Sequence, residues 1–207
     1  MTQPIINYDI SEHHYFIDPV NSQDNERIVE LRLAIDWYEG LYNLGRVRNI
    51  IEVGNVLGFY GYCEHLCIDK FAESPDISPA GEVVNLDALD VDFTGKDVIS
   101  VSTLEHIGTS DYDNPDENDG EDAIKVLNKI EEESDSYFLT FGPNYNNPLD
   151  NFIKENLEKY DWHGWIRTDK GRWRYSEQDI EVWEKVPDDP YPFANGIILL
   201  QRNIQES

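Results

Sequence analysis

Residues 50 to 61 read IIEVGNVLGFYG, and this run constrains the fold more than any other. A short apolar strand, Asn49 to Val53, carries an acid at Glu52 and empties into a loop with glycines at Gly54, Gly58 and Gly61. That is how a nucleotide-binding α/β domain opens, because glycine lets the backbone turn sharply and lets a ligand approach without meeting a Cβ. The spacing removes two common versions. Val56 stands where the second glycine of G-x-G-x-x-G would be, which counts against a dinucleotide enzyme. No Gly-Lys-Ser/Thr follows, so a phosphate-gripping P-loop is excluded.

Further segments follow in the order such a fold requires. Leu66 to Lys70 (LCIDK) reads as a second strand ending in Asp69, and an acid there is where a nucleotide-binding fold holds ribose hydroxyls. Val83 to Leu89 (VVNLDAL) carries Asp87. Lys96 to His106 (KDVISVSTLEH) reads as a central strand ending in polar residues. Tyr137 to Pro143 (YFLTFGP) reads as another strand ending in a turn, and Gly196 to Arg202 (GIILLQR) suits a final buried strand. Strands separated by helical or loop connections imply a parallel sheet with ligands at its carboxyl edge.

The strand, Glu, Gly, loop, Gly order resembles the first motif of class I S-adenosylmethionine-dependent methyltransferases, whose loop wraps the methionine end of the cofactor. EVGNVLGFY, STLEHIG, GPNYNNPLD and PYPFANGIILL together resemble a family of small, uncharacterised methyltransferase-like proteins with the pattern EVGNVLSHY, STLEHVG and GYNPLLD. The segment Asn25 to Trp37 resembles that family's helix before the first strand, and the likeness spans roughly Asn25 to Arg202. Gly58 departs from it by replacing a serine, and Phe59 by replacing a histidine. The resemblance implies a Rossmann-like fold with a seven-stranded, mostly parallel sheet and an antiparallel last strand. It implies S-adenosylmethionine (SAM) as cofactor, with Glu52, Gly54, Asn55 and Gly58 at the methionine end, Asp69 at the ribose and Asp87 at the adenine amino group. Asp90 and Asp92 compete with Asp87 for that last place.

Net charge narrows the acceptor. The chain has 42 acidic and 16 basic residues, a net charge of -26. Such a chain repels nucleic acid and anionic membranes at long range, so the expected partner is a small molecule. The polar N-terminus shows no signal sequence, and no apolar run approaches the roughly 20 residues of a membrane span. Cys63 and Cys67 lack the further ligands of a zinc site, and read as thiols of a reducing cytoplasm. Asp111 to Asp122 holds seven acids without the D-x-D-x-D-G spacing of a calcium loop, so it reads as solvated loop and no metal is expected.

The 207 residues suit one domain, with an N-terminal lid and helix over 1–45 and an α/β core over 46–207. His14 to Ile17 is an apolar stretch for an edge strand or a lid. Asp24 caps a helix from about Asn25 to Leu44, whose Ile28, Leu31, Ile35, Tyr38 and Leu41 recur at helical spacing. Only 17 positions separate Glu52 from Asp69, so the intervening helix must be short. Asn118 or Asp119 leads into a helix over Glu121 to Glu133. Asn147 and Pro148 read as cap and first turn of a helix through Leu157, and Asp179 to Val186 reads as a short helix.

Methyl transfer from a sulfonium is an in-line displacement that often needs a base. Glu105 and His106, after the central strand, are the catalytic candidates, since histidine titrates near neutrality. Asn144 and Tyr145 stand where a substrate would be met, although Asn and Pro also build turns. Trp162 to Tyr175 concentrates Arg167, Lys170, Arg172 and Arg174 with three tryptophans. One reading is an acceptor pocket for an anionic or sugar-like substrate, using Arg167, Arg172 and Arg174. The other is tryptophan core with arginines paired to surface acids. Overall the chain reads either as a small-molecule methyltransferase or as a binding or scaffold protein that kept the fold.

Overall fold

The computed structural model describes residues 25–62, 64–70, 83–109, 120–168, 172–187 and 194–202. The N-terminal lid, the cap at Asp24, the Cys63 thiol, the acidic block to Asp119 and Lys170 fall outside the described residues.

Helix α1 spans Arg27–Asn43. Its Leu31, Ile35, Tyr38 and Leu41 are buried as the spacing requires, joined by Val29 and Ala34. The helix stops at Gly45, which takes φ +72°. Gly45 N–H donates to Tyr42 O at 2.9 Å and Arg46 N–H to Leu41 O at 2.9 Å. These two bonds are the Schellman pattern, which satisfies the last carbonyls of a helix.

The strands are β1 (Ile50–Val53), β2 (Leu66–Ile68), β3 (Val83–Val84), β4 (Asp97–Val101), β5 (Ser136–Phe141), β6 (Asp161–Arg167), β7 (Trp173–Glu177) and β8 (Gly196–Arg202). They form one sheet in the order β3-β2-β1-β4-β5-β8-β6-β7. Strands β1 to β5 pair in parallel, while β8 runs antiparallel between β5 and β6. This is the Rossmann-like, mostly parallel architecture with an antiparallel last strand. The sheet has eight strands rather than seven, because β7 adds an antiparallel edge to β6. Cross-strand aromatic contact favours that hairpin: the Trp165 and Tyr175 rings lie 5.2 Å apart.

Helix α2 (Glu121–Glu133) has the expected limits, but its N-cap is Gly120 with φ +86°. Helix α3 (Asn147–Lys154) is shorter than expected and is capped one residue earlier, by Asn146, whose side chain accepts from Leu149 N–H. Ile180–Glu184 is a 3₁₀ turn. Helix α1 covers the sheet face carrying Ile50, Ile99, Val101, Phe138, Ile197 and Leu199. The other face, with Val53, Val98, Leu139, Ile198 and Leu200, packs under α2 and α3. All six residues of β5 are buried, as expected of a central strand covered on both faces.

At the amino edge, Asp97 is fully buried yet fully engaged. Arg46 grips it through Nε at 3.0 Å and Nη2 at 2.7 Å, and Ser136 Oγ donates at 2.6 Å. No helix among the described residues is long and apolar enough to cross a membrane.

Candidate active site

Loops leaving β1, β2, β3, β4 and β5 meet at the carboxyl edge. After β1 the chain turns at Gly54, with φ +86°. An added Cβ there would overlap the Thr103 side chain beyond β4, so the position requires glycine on two counts. Gly54 N–H donates to Ile68 O at 2.9 Å, and the Cys67 thiol donates to Gly54 O at 3.3 Å. The loop is therefore pinned to β2. The helix that follows is a single 3₁₀ turn, Leu57–Tyr60, with Gly58 buried inside it. This is the short helix that the 17-residue interval demands.

Glu52 shapes this loop from within. Its Oε1 accepts from Val56 N–H at 2.8 Å and Leu57 N–H at 2.7 Å, and its Oε2 meets His65 Nε2 at 2.8 Å. The side chain is fully buried. The expectation of a cofactor-facing Glu52 is corrected: both oxygens are consumed by the chain, so it acts by positioning the loop. Asn55, next to Gly54, is half-buried and has a side-chain oxygen with no partner among the described residues. Nothing in the sequence spacing ties His65 to Glu52.

Asp69 follows β2 directly and is half-buried. Asp87 follows β3, caps the turn Ala88–Asp90 through Leu89 N–H at 3.0 Å, and pairs with Lys70 at 2.7 Å. Partial burial pushes its pKa up, but the bonds from Lys70 and Leu89 and the charge of Lys70 outweigh this and hold it below the usual carboxylate value. Asp90 and Asp92 are exposed, and Asp92 bonds to Thr94 N–H. β1, β2 and β3 are adjacent parallel strands. The Gly54 loop, Asp69 and Asp87 thus stand in line across about 10 Å, two strand spacings.

A second group lies over β4, β5 and the entry to β8. Glu105 is buried; its Oε1 accepts from Gly142 N–H at 3.0 Å and its Oε2 has no partner among the described residues. Burial, then the nearby charge of Glu30, push its pKa up to about 8. Glu30, on the first turn of α1, is fully buried between Arg27 Nη1 at 2.9 Å and Ser102 Oγ at 2.6 Å. Ser102 adopts φ +42° to make this contact, a strained geometry for a residue with a Cβ. Glu26, the N-cap of α1, interacts with Glu30 and with the backbone of Ala194; burial and Glu30 raise its pKa to about 7. Nothing in the sequence spacing singled out Glu26, Arg27 or Glu30. The helix containing them was legible, but its placement against Ser102 and Ala194 is tertiary.

His106 is half-buried beside Glu105, and its ring meets the edge of Tyr145 with centroids 5.5 Å apart. Tyr145 in turn lies on Gly142, where an added Cβ would come within 2.8 Å of Tyr145 Cε2. Asn144 is corrected from substrate contact to turn lock. It takes φ +68°, its N–H donates to Asp150, and its Nδ2 donates to Trp183 O at 3.1 Å and Lys185 O at 2.7 Å.

The tail arginines do not join this site. Trp162, Trp165 and Trp173 are buried in the two cores. Arg174 pairs with Glu181 at 3.1 Å, Arg167 donates to Asn195 Oδ1 at 3.5 Å, and Arg172 is exposed beyond the β6–β7 hairpin end. β6 stands four strand spacings from β1, about 19 Å, too far for an arginine to reach the Gly54 loop. The reading of Arg167, Arg172 and Arg174 as acceptor-pocket residues beside that loop is corrected accordingly. Among the described residues no group of three His, Cys, Asp or Glu is placed to hold a metal ion.

No family model matches the chain, and no curated protein matches it. Solved structures do. One is a proposed RNA methyltransferase from Pyrococcus horikoshii, at 13% identity and TM-score 0.46, covering 84% of this chain and 85% of that one. Another is the methyltransferase domain of bacterial CtHen1, at 9% identity and TM-score 0.44, covering 85% and 100%. A third is the magnesium protoporphyrin IX methyltransferase of Synechocystis PCC 6803 with bound SAM, at 13% identity and TM-score 0.41, covering 88% and 86%. Strand order and the antiparallel last strand make this a mostly parallel, Rossmann-like α/β fold.

Proposed function

We propose that this chain is a SAM-dependent methyltransferase acting on a small molecule. The carrying observation is the line of the Gly54 loop, Asp69 and Asp87 across three adjacent parallel strands. A nucleoside lying along that line would set its ribose hydroxyls on Asp69 and its adenine near Asp87. The methionine end would then turn toward Gly54 and Asn55, whose orphaned oxygen suits an N–H donor. The bound cofactor would supply an electrophilic methyl group on a sulfonium. Glu105 and His106 stand on the acceptor side of it and are the candidates to take a proton. The net charge of -26 favours a small acceptor over nucleic acid, and the buried free thiol of Cys67 fits a reducing cytoplasm.

Calorimetry with SAM, S-adenosylhomocysteine and NAD tests the reading. The two sulfur ligands bind and NAD does not. A carboxylate accepting ribose hydroxyls contributes about 1.5–3 kcal/mol per charged bond, so Asp69→Ala weakens SAM binding at least tenfold. Unchanged affinity in that variant places the ribose elsewhere. The 3₁₀ turn after Gly54 favours a second reading, a binding protein that kept the fold; it would bind SAM and transfer no methyl group to any acceptor.

A further inference from the structure

Glu30 is fully buried on α1, between Val29 and Leu31, which are buried too. Burying a carboxylate is costly even when it is paired. Replacing a buried ion pair by apolar residues of similar volume often leaves a fold as stable or more so. Packing of α1 therefore does not call for an acid here. Its contacts do. Oε2 meets Arg27 Nη1 at 2.9 Å on the same helix, and Oε1 accepts from Ser102 Oγ at 2.6 Å, 72 positions away.

Ser102 is the first residue beyond β4 and holds φ +42°. A side chain in that region is strained, and glycine would take it without strain. Such geometry persists only where the surroundings over-determine it. Two bonds do so here. Ser102 N–H donates to Thr140 O at 2.9 Å, and its hydroxyl donates to Glu30. Glycine has no hydroxyl and would lose the second bond. The strained turn sets the direction of the next residue. The Thr103 side chain, tied to Val101 O at 3.1 Å, fills the place that a Cβ on Gly54 would take. This contact joins the loops after β1 and β4, which are adjacent parallel strands. Beyond it, His106 N–H donates to Thr103 O at 3.0 Å, so the turn carrying Glu105 and His106 starts from the same point.

We propose that Glu30 is a positioning residue: by holding Ser102 it seats Thr103 against Gly54, and so fixes the Gly54 loop and the Glu105–His106 turn in one arrangement. The fixing of the two loops stands on these contacts alone. Only the identity of the cofactor that uses them rests on the methyltransferase reading.

The test is amide hydrogen exchange of the isotope-labelled full chain, followed by NMR, beside calorimetric titration with S-adenosylhomocysteine. The reporters are Gly54 N–H, bonded to Ile68 O, and the Val56 and Leu57 N–H groups, bonded to Glu52. Glu30→Ala and Ser102→Ala each speed exchange at all three about tenfold or more beyond any change at Phe138 and Leu139 in β5. Each also weakens S-adenosylhomocysteine binding about tenfold, the effect of one lost bond to a charged group. Glu30→Gln can accept from Arg27 and donate to Ser102 Oγ, so it stays within about threefold of wild type in both measurements. Glu30→Ala added to Ser102→Ala brings less than about a threefold further change, because both remove one contact. Should Glu30→Ala not fold, Ser102→Ala and Glu30→Gln carry the same expectations. Unchanged exchange at Gly54, Val56 and Leu57 in Ser102→Ala overturns the proposal. So does exchange that quickens equally in the loop and in β5, which would mean lost stability alone. Additive effects of the two alanine substitutions also overturn it, since Glu30 would then act by another route. A wild type that does not bind S-adenosylhomocysteine, with exchange as expected, sinks the methyltransferase reading and leaves the proposal standing.

Discussion

The two ends of strand β4 each hold a buried carboxylate, and the two are treated in opposite ways. At the amino end Asp97 is gripped by both nitrogens of a forked arginine and by a serine hydroxyl. Beyond the carboxyl end Glu105 has one oxygen on a backbone N–H and the other without a partner among the described residues. One is completed by the fold and ties α1, β4 and β5 together. The other is left incomplete, at the edge where ligands bind in open α/β sheets. Asp97 is completed by its partners, whereas burial pushes the pKa of Glu105 up to about 8 and keeps it protonated near neutral pH.

The comparison breaks most readily at Arg46. Arg46→Ala leaves Asp97 with Ser136 alone, and breaking a buried pair costs about 3–5 kcal/mol. Because Arg46 is a quarter exposed, water softens the loss toward the lower figure. Urea denaturation should show the drop, and an unmoved midpoint would mean that Asp97 is not held by its pairing.

Glu105→Gln should act in the other direction. The folded pKa of Glu105 is about 8 against an ordinary 4.5. Between those values the unfolded chain ionises the group and the folded chain does not. Its contribution to stability is therefore intact below pH 4.5 and lost as pH rises toward 8. Glu26, at about 7, and Asp150, at about 6, add the same sign. Wild type should lose stability from pH 5 to pH 8. Glu105→Gln should match it at low pH and exceed it at pH 8, by on the order of 3 kcal/mol. Parallel pH profiles for the two proteins would show that Glu105 is ionised and satisfied after all.

Gly54→Ala sharpens the comparison at the same edge. A left-handed backbone and a Cβ driven into Thr103 cost about 1–3 kcal/mol. The larger consequence is for the ligand, with S-adenosylhomocysteine affinity falling at least tenfold by calorimetry. Wild-type affinity in that variant would detach the loop from the cofactor. The smallest effect belongs to Arg174→Ala. Its pair with Glu181 is exposed on both sides, so unfolding should shift by less than about 0.5 kcal/mol. Ligand titrations should not change, and a clear loss of cofactor binding would return the hairpin to the site.

Much of the frame was open to a reader of residues alone. Helix α2 and strand β8 fall on the limits that periodicity and the apolar run dictate. Gly45 ends α1 because a left-handed turn needs a residue without Cβ. The short interval between Glu52 and Asp69 foretold a stunted helix, and a single 3₁₀ turn is what stands there. The cluster of arginines and tryptophans in β6 and β7 left two readings open, because composition alone cannot say which face of a strand a ring occupies. Those rings are core.

The sequence by itself determined what is local. Hydrophobic period sets helix or strand, glycine and proline set where each stops, and the acids that end β2 and β3 are fixed by a few neighbouring residues. Tertiary structure alone decided which polar atoms are satisfied. Glu52 lost its freedom to His65, 13 positions away, and to the loop it shapes. Glu30 found Ser102 across 72 positions. Glu105 reached Gly142 and stopped one bond short. Whether a buried charge is complete depends on donors brought from distant segments, and that sum is not written in any one stretch of the chain.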